Sequence, residues 1–395
     1  MTMAQRAKIE QSSDRCPVDP VIAGIALLLL LVGIIMVGSA STEVSARTYG
    51  SPFYLLIKHS AYVLIGLVAG IMAILTPVRV WQKLDIPLLI VSFGLLIAVL
   101  VPGVGREVNG ATRWIPLGFF TLQGSEFVKL FSVFYVAGYL VRHKTEVNTS
   151  ITGFIKPLVL ITLLVLLLLG QPDFGASVVI MVAVMGVMFL SGIPLKYFMP
   201  VVTASVGAVA LIATLQPYRL ARLTTFTDPW QHQFEGGYQL TQALIAFGRG
   251  EWFGLGLGNS IQKLFFLPEA HTDFLFSIIA EELGVIGASL IIVLFAGLVI
   301  RGLWIGSKAL NQGEEFHAFI AYGIALLLGV QASINLGVNL GLLPTKGLTL
   351  PLMSFGGNSL VVSCILIAIL LRVEYECRHQ TTGTPVEAKR PRRND

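Results

Sequence analysis

The sequence predicts an all-α, polytopic membrane protein with ten transmembrane helices and a long outer loop between helices 7 and 8. Three observations predict it. The 395 residues are 55% hydrophobic and only 12% charged, where a soluble domain carries about 25% charged residues. The apolar residues gather into ten runs, most of them near the ~20 residues a helix needs to cross a bilayer. The basic residues are distributed unevenly between the segments joining those runs, as membrane insertion requires.

Residues 1–19 are polar and read as a cytoplasmic segment. Residues 21–40 form the first run; no small-residue cleavage site follows a short apolar core, so a retained helix is expected rather than a signal peptide. Further runs lie near 60–76, 86–101, 125–141, 157–170, 174–193, 197–215, 274–299, 317–341 and 351–371. The fifth is short and only Gln171-Pro172-Asp173 separates it from the sixth, which predicts a tight helical hairpin. The expected organisation is a transmembrane domain over 20–372, a large periplasmic loop over 216–273 inside it, and a disordered basic cytoplasmic tail over 373–395 lying near anionic lipid. No internal repeat is visible, which argues against a transporter built from inverted halves.

With the amino terminus inside, 17 of the 27 Lys and Arg residues fall in cytoplasmic segments, among them Arg79, Lys83, Arg142, Lys144, Arg301 and Lys308. Four of the nine outer ones sit in the long loop, which the rule discounts. Both termini are therefore expected in the cytoplasm. The net charge of +5 follows from these basic loops and implies no nucleic acid. Cys16, Cys364 and Cys377 are too scattered for a disulfide framework or a metal set.

The material for a site concentrates in the loop over 216–273, whose aromatic residues argue that it is folded, and long folded loops are commonly functional. It ends in Leu267-Pro268-Glu269-Ala270-His271-Thr272-Asp273 just before an apolar run. Asp273 there is open to two readings, a helix N-cap or a chemical group. Within the fourth run Glu126 and Lys129 stand three apart, on one helix face. They form either a buried structural pair or a polar floor that offers Lys129 to an anion. Glu281 and Glu282 read as structural. Arg113 beside Trp114 suits an interfacial phosphate or sugar, or simply anchors the helix. Residues 341–351 read as a re-entrant, non-helical segment. Gly254, Gly256 and Gly258 suggest ordinary turns more than an anion nest. The chain has no P-loop, HExxH, GxSxG or CxxC, so nothing points to nucleotide hydrolysis, zinc or an acyl-enzyme.

Four separated stretches, 109–114 with 124–130, 171–175, 266–273 with 280–284, and 339–359, resemble the SEDS proteins (shape, elongation, division and sporulation), the FtsW/RodA membrane glycosyltransferases. The resemblance spans roughly 20–372. Ala270 in the loop motif and Ser354-Phe355-Gly356-Gly357-Asn358-Ser359 are similar to the cell-division branch rather than the elongation branch. The resemblance implies an outward cavity in which lipid II is polymerised into glycan strands, at the septum in the cytoplasmic (inner) membrane. A division-specific class B penicillin-binding transpeptidase and other divisome proteins would be partners. It implies Asp273 as catalytic base, Arg113, Lys129 and Lys346 as cations against the pyrophosphate, Glu126 and His271 in the substrate site, and a divalent cation, Mg or Mn, as an optional aid with Asp273 as its ligand. A substrate that carries its own pyrophosphate leaving group agrees with the missing P-loop. A lipid II flippase and a non-catalytic divisome scaffold remain as alternatives, although the concentration of polar residues in outer loops favours surface chemistry.

Overall fold

The computed structural model describes residues 18–108, 111–116, 118, 121–215, 226–345 and 347–383. Helix α1 spans Pro20–Tyr49; the Asp19 carboxylate caps it, accepting the Val21 and Ile22 amides at 3.0 Å, and Gly50 ends it in the left-handed region. Helices α2 (Tyr54–Leu75), α3 (Val78–Leu100), α4 (Gly124–Arg142), α5 (Lys144–Thr149), α6 (Ile151–Gly170), α7 (Phe174–Leu190) and α8 (Leu195–Leu215) follow. Then come α9 (Tyr238–Gly250), α10 (Leu275–Asn311), α11 (Glu315–Asn339) and α12 (Gly357–Gly383).

Among the described residues seven helices, α1 to α4, α6, α10 and α11, are long and apolar enough to cross a membrane. α7 is apolar but has 17 residues. Every one of the ten apolar runs overlaps a helix. The expected fold is amended at two places. Residues 373–383, expected as the start of a disordered tail, continue α12, with Val373, Glu374 and Cys377 buried and Glu374 paired with Lys308, because polar groups there find partners on α10. Between α3 and α4 lies a three-stranded antiparallel sheet of β1 (Arg106–Val108), β2 (Ala111–Pro116) and β3 (Thr121–Gln123), with Trp114 opposite Arg106 and Gln123. Strands this short carry too little alternation to show in the sequence.

α4 and α11 form the interior of the bundle and are buried along most of their length, whereas α2 and α3 present Ile57, Leu64, Met72 and Ile90 outward. That division explains the polar content of the two inner helices. A peripheral helix meets lipid and must be apolar all round, while an inner one can pair polar groups with its neighbours. α12 packs along α2, and α10 along α11. α10 contains a break: Gly284 has φ 69° and ψ −172°, a conformation open to glycine alone. Between α11 and α12 the backbone of the described residues is non-helical yet buried at Leu348, Leu350, Leu352 and Met353, as expected for a re-entrant segment. Residues 216–225 of the long loop lie outside the described residues, as do Asn109, Gly110, Lys346 and the tail beyond Gly383.

Candidate functional site

The site is assembled where the end of the long loop, the start of α10, the polar face of α11 and the non-helical segment after it converge. Asp273 does not cap α10: the helix begins at Leu275, the N-cap position is Phe274, and no side chain bonds there. Instead the backbone is clamped. The Asp273 carbonyl accepts the side-chain amides of Asn335 at 2.8 Å and Asn339 at 2.9 Å. Asn335 also donates to the Leu348 carbonyl, and the Asn339 side-chain oxygen accepts the Ser277 amide at 3.1 Å and hydroxyl at 2.7 Å. Two asparagines one helical turn apart thus fix the loop end and the re-entrant segment to each other.

The carboxylate itself is left available. Among the described residues it accepts no hydrogen bond, and a Cβ at Gly347 would stand 2.8 Å from its Oδ2, so it lies against the bare backbone of Gly347. Burial pushes its pKa up to about 7; the nearby Glu269 charge adds to the rise and Arg113 opposes it. His271 is held below the usual imidazole range by burial, with Glu269 opposing. Its ring lies 5.5 Å from that of Phe355, and its carbonyl accepts the Phe355 amide at 3.0 Å.

Arg113, on β2, reaches across to the turn between α6 and α7. It donates through Nε to the Gln171 carbonyl at 3.1 Å and through a second nitrogen to the Pro172 carbonyl. Gln171 donates in turn to the Leu96 carbonyl at 2.8 Å, and Asp173 accepts the Ala176 amide at 3.3 Å as the cap of α7. The expected hairpin is therefore an anchor point for the sheet.

Glu126 and Lys129 are both buried and 2.8 Å apart. The Lys129 ammonium also donates to Gln331 Oε1 at 2.6 Å, and Gln331 donates to the Thr349 carbonyl at 3.0 Å. The pair therefore ties α4 through α11 to the re-entrant segment. Glu281 and Glu282 are structural, as expected. Glu281 accepts the Ser260 hydroxyl and the amides of Ile261 and Gln262. Glu282 pairs with Lys263 at 2.9 Å and accepts the Ser39 hydroxyl at 2.7 Å. Gly254 and Gly256 use their amides on the Gly250 and Glu282 carbonyls, so they do not form a nest.

Comparison with known proteins bears directly on this arrangement. A family profile described as "Cell cycle protein", that of the FtsW/RodA/SpoVE proteins, matches residues 20–379. The chain belongs to this family. A probable peptidoglycan glycosyltransferase FtsW of Hahella chejuensis is 54% identical over 97% of this chain and 96% of its own length. One of the same description from Legionella pneumophila is 51% identical over 92% and 93%. Among solved structures, a chain from a study of the structural coordination of polymerization and crosslinking by a peptidoglycan synthase complex aligns with TM-score 0.75 and 28% identity, covering 91% of this chain and 98% of its own. The Thermus thermophilus rod shape determining protein RodA aligns with TM-score 0.66 and 28% identity, over 90% and 96%.

In this FtsW/RodA/SpoVE chain the fit of a divalent cation can be judged from the donor set. Among the described residues no three His, Cys, Asp or Glu side chains converge as a metal site. Glu269 accepts the Thr272 hydroxyl at 2.6 Å and its charge acts on Asp273, so the two carboxylates are the acidic groups here, fewer than an all-protein cage needs. Gln331, Asn335 and Asn339 were missed as site residues in the sequence. Their signal is the spacing of four, which places three amides along one face of an otherwise apolar helix.

Proposed function

We propose that the protein is a peptidoglycan glycosyltransferase that polymerises lipid II into glycan strands at the outer face of the cytoplasmic membrane during septal wall synthesis. The observation that carries this reading is Asp273: a carboxylate with a pKa raised to about 7, free of capping duty, on backbone clamped by Asn335 and Asn339. A base serves best when its pKa lies near the working pH. Family membership and relatives named as peptidoglycan glycosyltransferases support the reaction class.

In this reading the 4-hydroxyl of the GlcNAc of one lipid-linked unit attacks the MurNAc anomeric carbon of the growing strand. The new C–O bond forms as the bond to the pyrophosphate oxygen breaks. The electron pair leaves with undecaprenyl pyrophosphate, and the hydroxyl proton passes to Asp273. Arg113, whose charge acts on Asp273, opposes the charge that develops on the leaving group; Lys346, outside the described residues, is assigned the same role from the sequence, and His271 lines the substrate site. Glu126 and Lys129 form the polar floor of the site, with the Lys129 ammonium held between Glu126 and Gln331. No step is routed through a metal ion. Ten spans, cytoplasmic termini, a transmembrane domain that begins at 20 and contains the outer loop over 216–273, and a division-specific class B penicillin-binding transpeptidase as partner complete the proposal.

The test is polymerisation of purified lipid II by the purified protein. Glycan strands from the wild type and none from Asp273→Asn are expected. A protein that moves lipid II across vesicles without making strands would be a flippase, and one that does neither a scaffold.

A further inference from the structure

The segment 252–266 is built the opposite way round from a water-exposed loop. Three of its four polar side chains are inside, Asn259 being the exposed one: Ser260 is 2% exposed, Gln262 4% and Lys263 8%. Its large apolar side chains are outside: Phe253 is 81% exposed, Trp252 68%, Leu257 57% and Phe266 49%. In water this arrangement would leave a broad apolar face wet while drying the ammonium group.

The segment also docks at a definite height. The break of α10 at Gly284 frees backbone groups that an unbroken helix would pair, and the loop takes them up. The Val285 and Ile286 amides donate to the Glu251 and Trp252 carbonyls at 2.9 and 3.3 Å; the Leu255 and Gly256 amides donate to the Glu281 and Glu282 carbonyls at 3.0 Å. The approach is so close that a Cβ on Gly254 would stand 2.2 Å from the Glu282 carbonyl oxygen. On the other side Lys263 donates to Ser39 at 2.9 Å. Ser39 is nineteen residues along α1 from Pro20, about 28 Å at 1.5 Å per residue, close to the outer limit of a hydrocarbon core about 30 Å thick. The exposed apolar face of the segment is continuous with Val285, Ile286 and Leu290 of α10, which are themselves turned outward.

We infer that residues 252–266 form a wedge immersed in the outer leaflet, its aromatic face in lipid at the boundary between headgroups and acyl chains. The partner is the bilayer, chosen by continuity with the lipid-facing belt and by the level of Ser39. Trp and Phe suit that boundary, and the charges of Lys263 and Glu282 are neutralised against each other beneath it. The wedge corrects the outer map of the chain: the loop is not wet throughout, and its immersed part ends seven residues before Asp273, so the candidate site is held at the membrane surface where a lipid-anchored substrate presents itself.

The test uses the full-length protein in lipid vesicles, in a background lacking Cys16, Cys364 and Cys377. A single cysteine replaces Phe253, Leu257 or, as the wet control, Gln233, and carries a small environment-sensitive fluorophore. Phe253 and Leu257 are exposed, so labelling them leaves packing intact. Lipids brominated along the acyl chain should quench the probes at Phe253 and Leu257 at least about twofold more than the probe at Gln233, and aqueous iodide should do the reverse. Iodide reaching Phe253 as freely as Gln233 overturns the inference. So does failure of both quenchers at Phe253, because another part of the chain would then cover the face.

Discussion

Asp273 has two competing readings, and their consequences diverge on a single atom change. An N-cap tolerates Asn, since Asn caps about as well as Asp; a base does not survive as an amide. With the cap position at Phe274, Asp273→Asn is expected to insert normally, retain its partner and lose strand synthesis, measured on purified lipid II. The raised pKa adds a pH signature. The carboxyl is deprotonated only above about 7, so activity should rise with pH on a limb near 7. Glu269 contributes to that rise through its charge, so Glu269→Gln is expected to move the limb to lower pH, in a pH–rate profile, without bringing it to the ordinary carboxylate range, because burial is the larger cause. The stability sign is opposite. A carboxyl that binds its proton more tightly when folded contributes stability present at low pH and lost as pH rises from its ordinary value of 3.8 toward about 7. Thermal unfolding of Asp273→Asn at pH 8 should therefore occur no lower than that of the wild type. Asp273 was legible in the sequence as a candidate, but its pKa was not: a helix N-terminus would lower it, whereas the raised value comes first from burial in the fold and then from the charge of Glu269.

At the level of elements, the ten apolar runs were legible because lipid demands uninterrupted hydrophobicity, and their ends were not. α1 continues nine residues past Ala40 because Ser41 and Ser45 are buried by the outer segments rather than wetted. α12 starts at Gly357 rather than 351 because the backbone after Leu350 turns through Leu352, with φ 64°, to meet His271. The sheet escaped because strands this short rest on tertiary contacts, and α9 because its buried residues, Leu240, Ala243 and Ala246, lie on one face rather than in a continuous apolar run. The Glu126–Lys129 pair was legible as a pair, its third member Gln331 was not, since 202 residues separate it from Lys129. That connection shapes the expected double-mutant result. Lys129→Met leaves a buried carboxylate unpaired and should cost about 3–5 kcal/mol, whereas adding Glu126→Gln should recover much of the loss. Unfolding measurements on the two singles and the double check this, and recovered stability with lost strand synthesis would assign the pair a direct part in the reaction.

Across the whole molecule, the contacts sort the connecting segments into two ends without reference to the basic-residue rule. At one end Asp19 pairs with Arg301 at 2.6 Å, Lys144 with Glu315 and Lys308 with Glu374, and the Val78 amide donates to Glu376 at 3.1 Å. These are the amino-terminal segment, the α2–α3, α4–α6 and α10–α11 connections and the end of α12, all expected on the cytoplasmic side. At the other end Arg113 meets the α6–α7 turn, Asn358 donates to the Thr121 carbonyl at 2.8 Å, and Lys263 meets Ser39. Each set is internally consistent, so the only freedom left is which end faces the cytoplasm, and the excess of Lys and Arg assigns that to the first. Cysteines at Gln233 and Gln312 test it, because the single crossing of α10 stands between them and their labelling must differ in either orientation. On cells stripped of any outer membrane, an impermeant thiol reagent is expected to react with Gln233→Cys and to spare Gln312→Cys until the membrane is opened. Reaction at Gln312→Cys alone would invert the molecule, place Asp273 on the side away from the growing wall, and remove the basis for assigning it to strand synthesis.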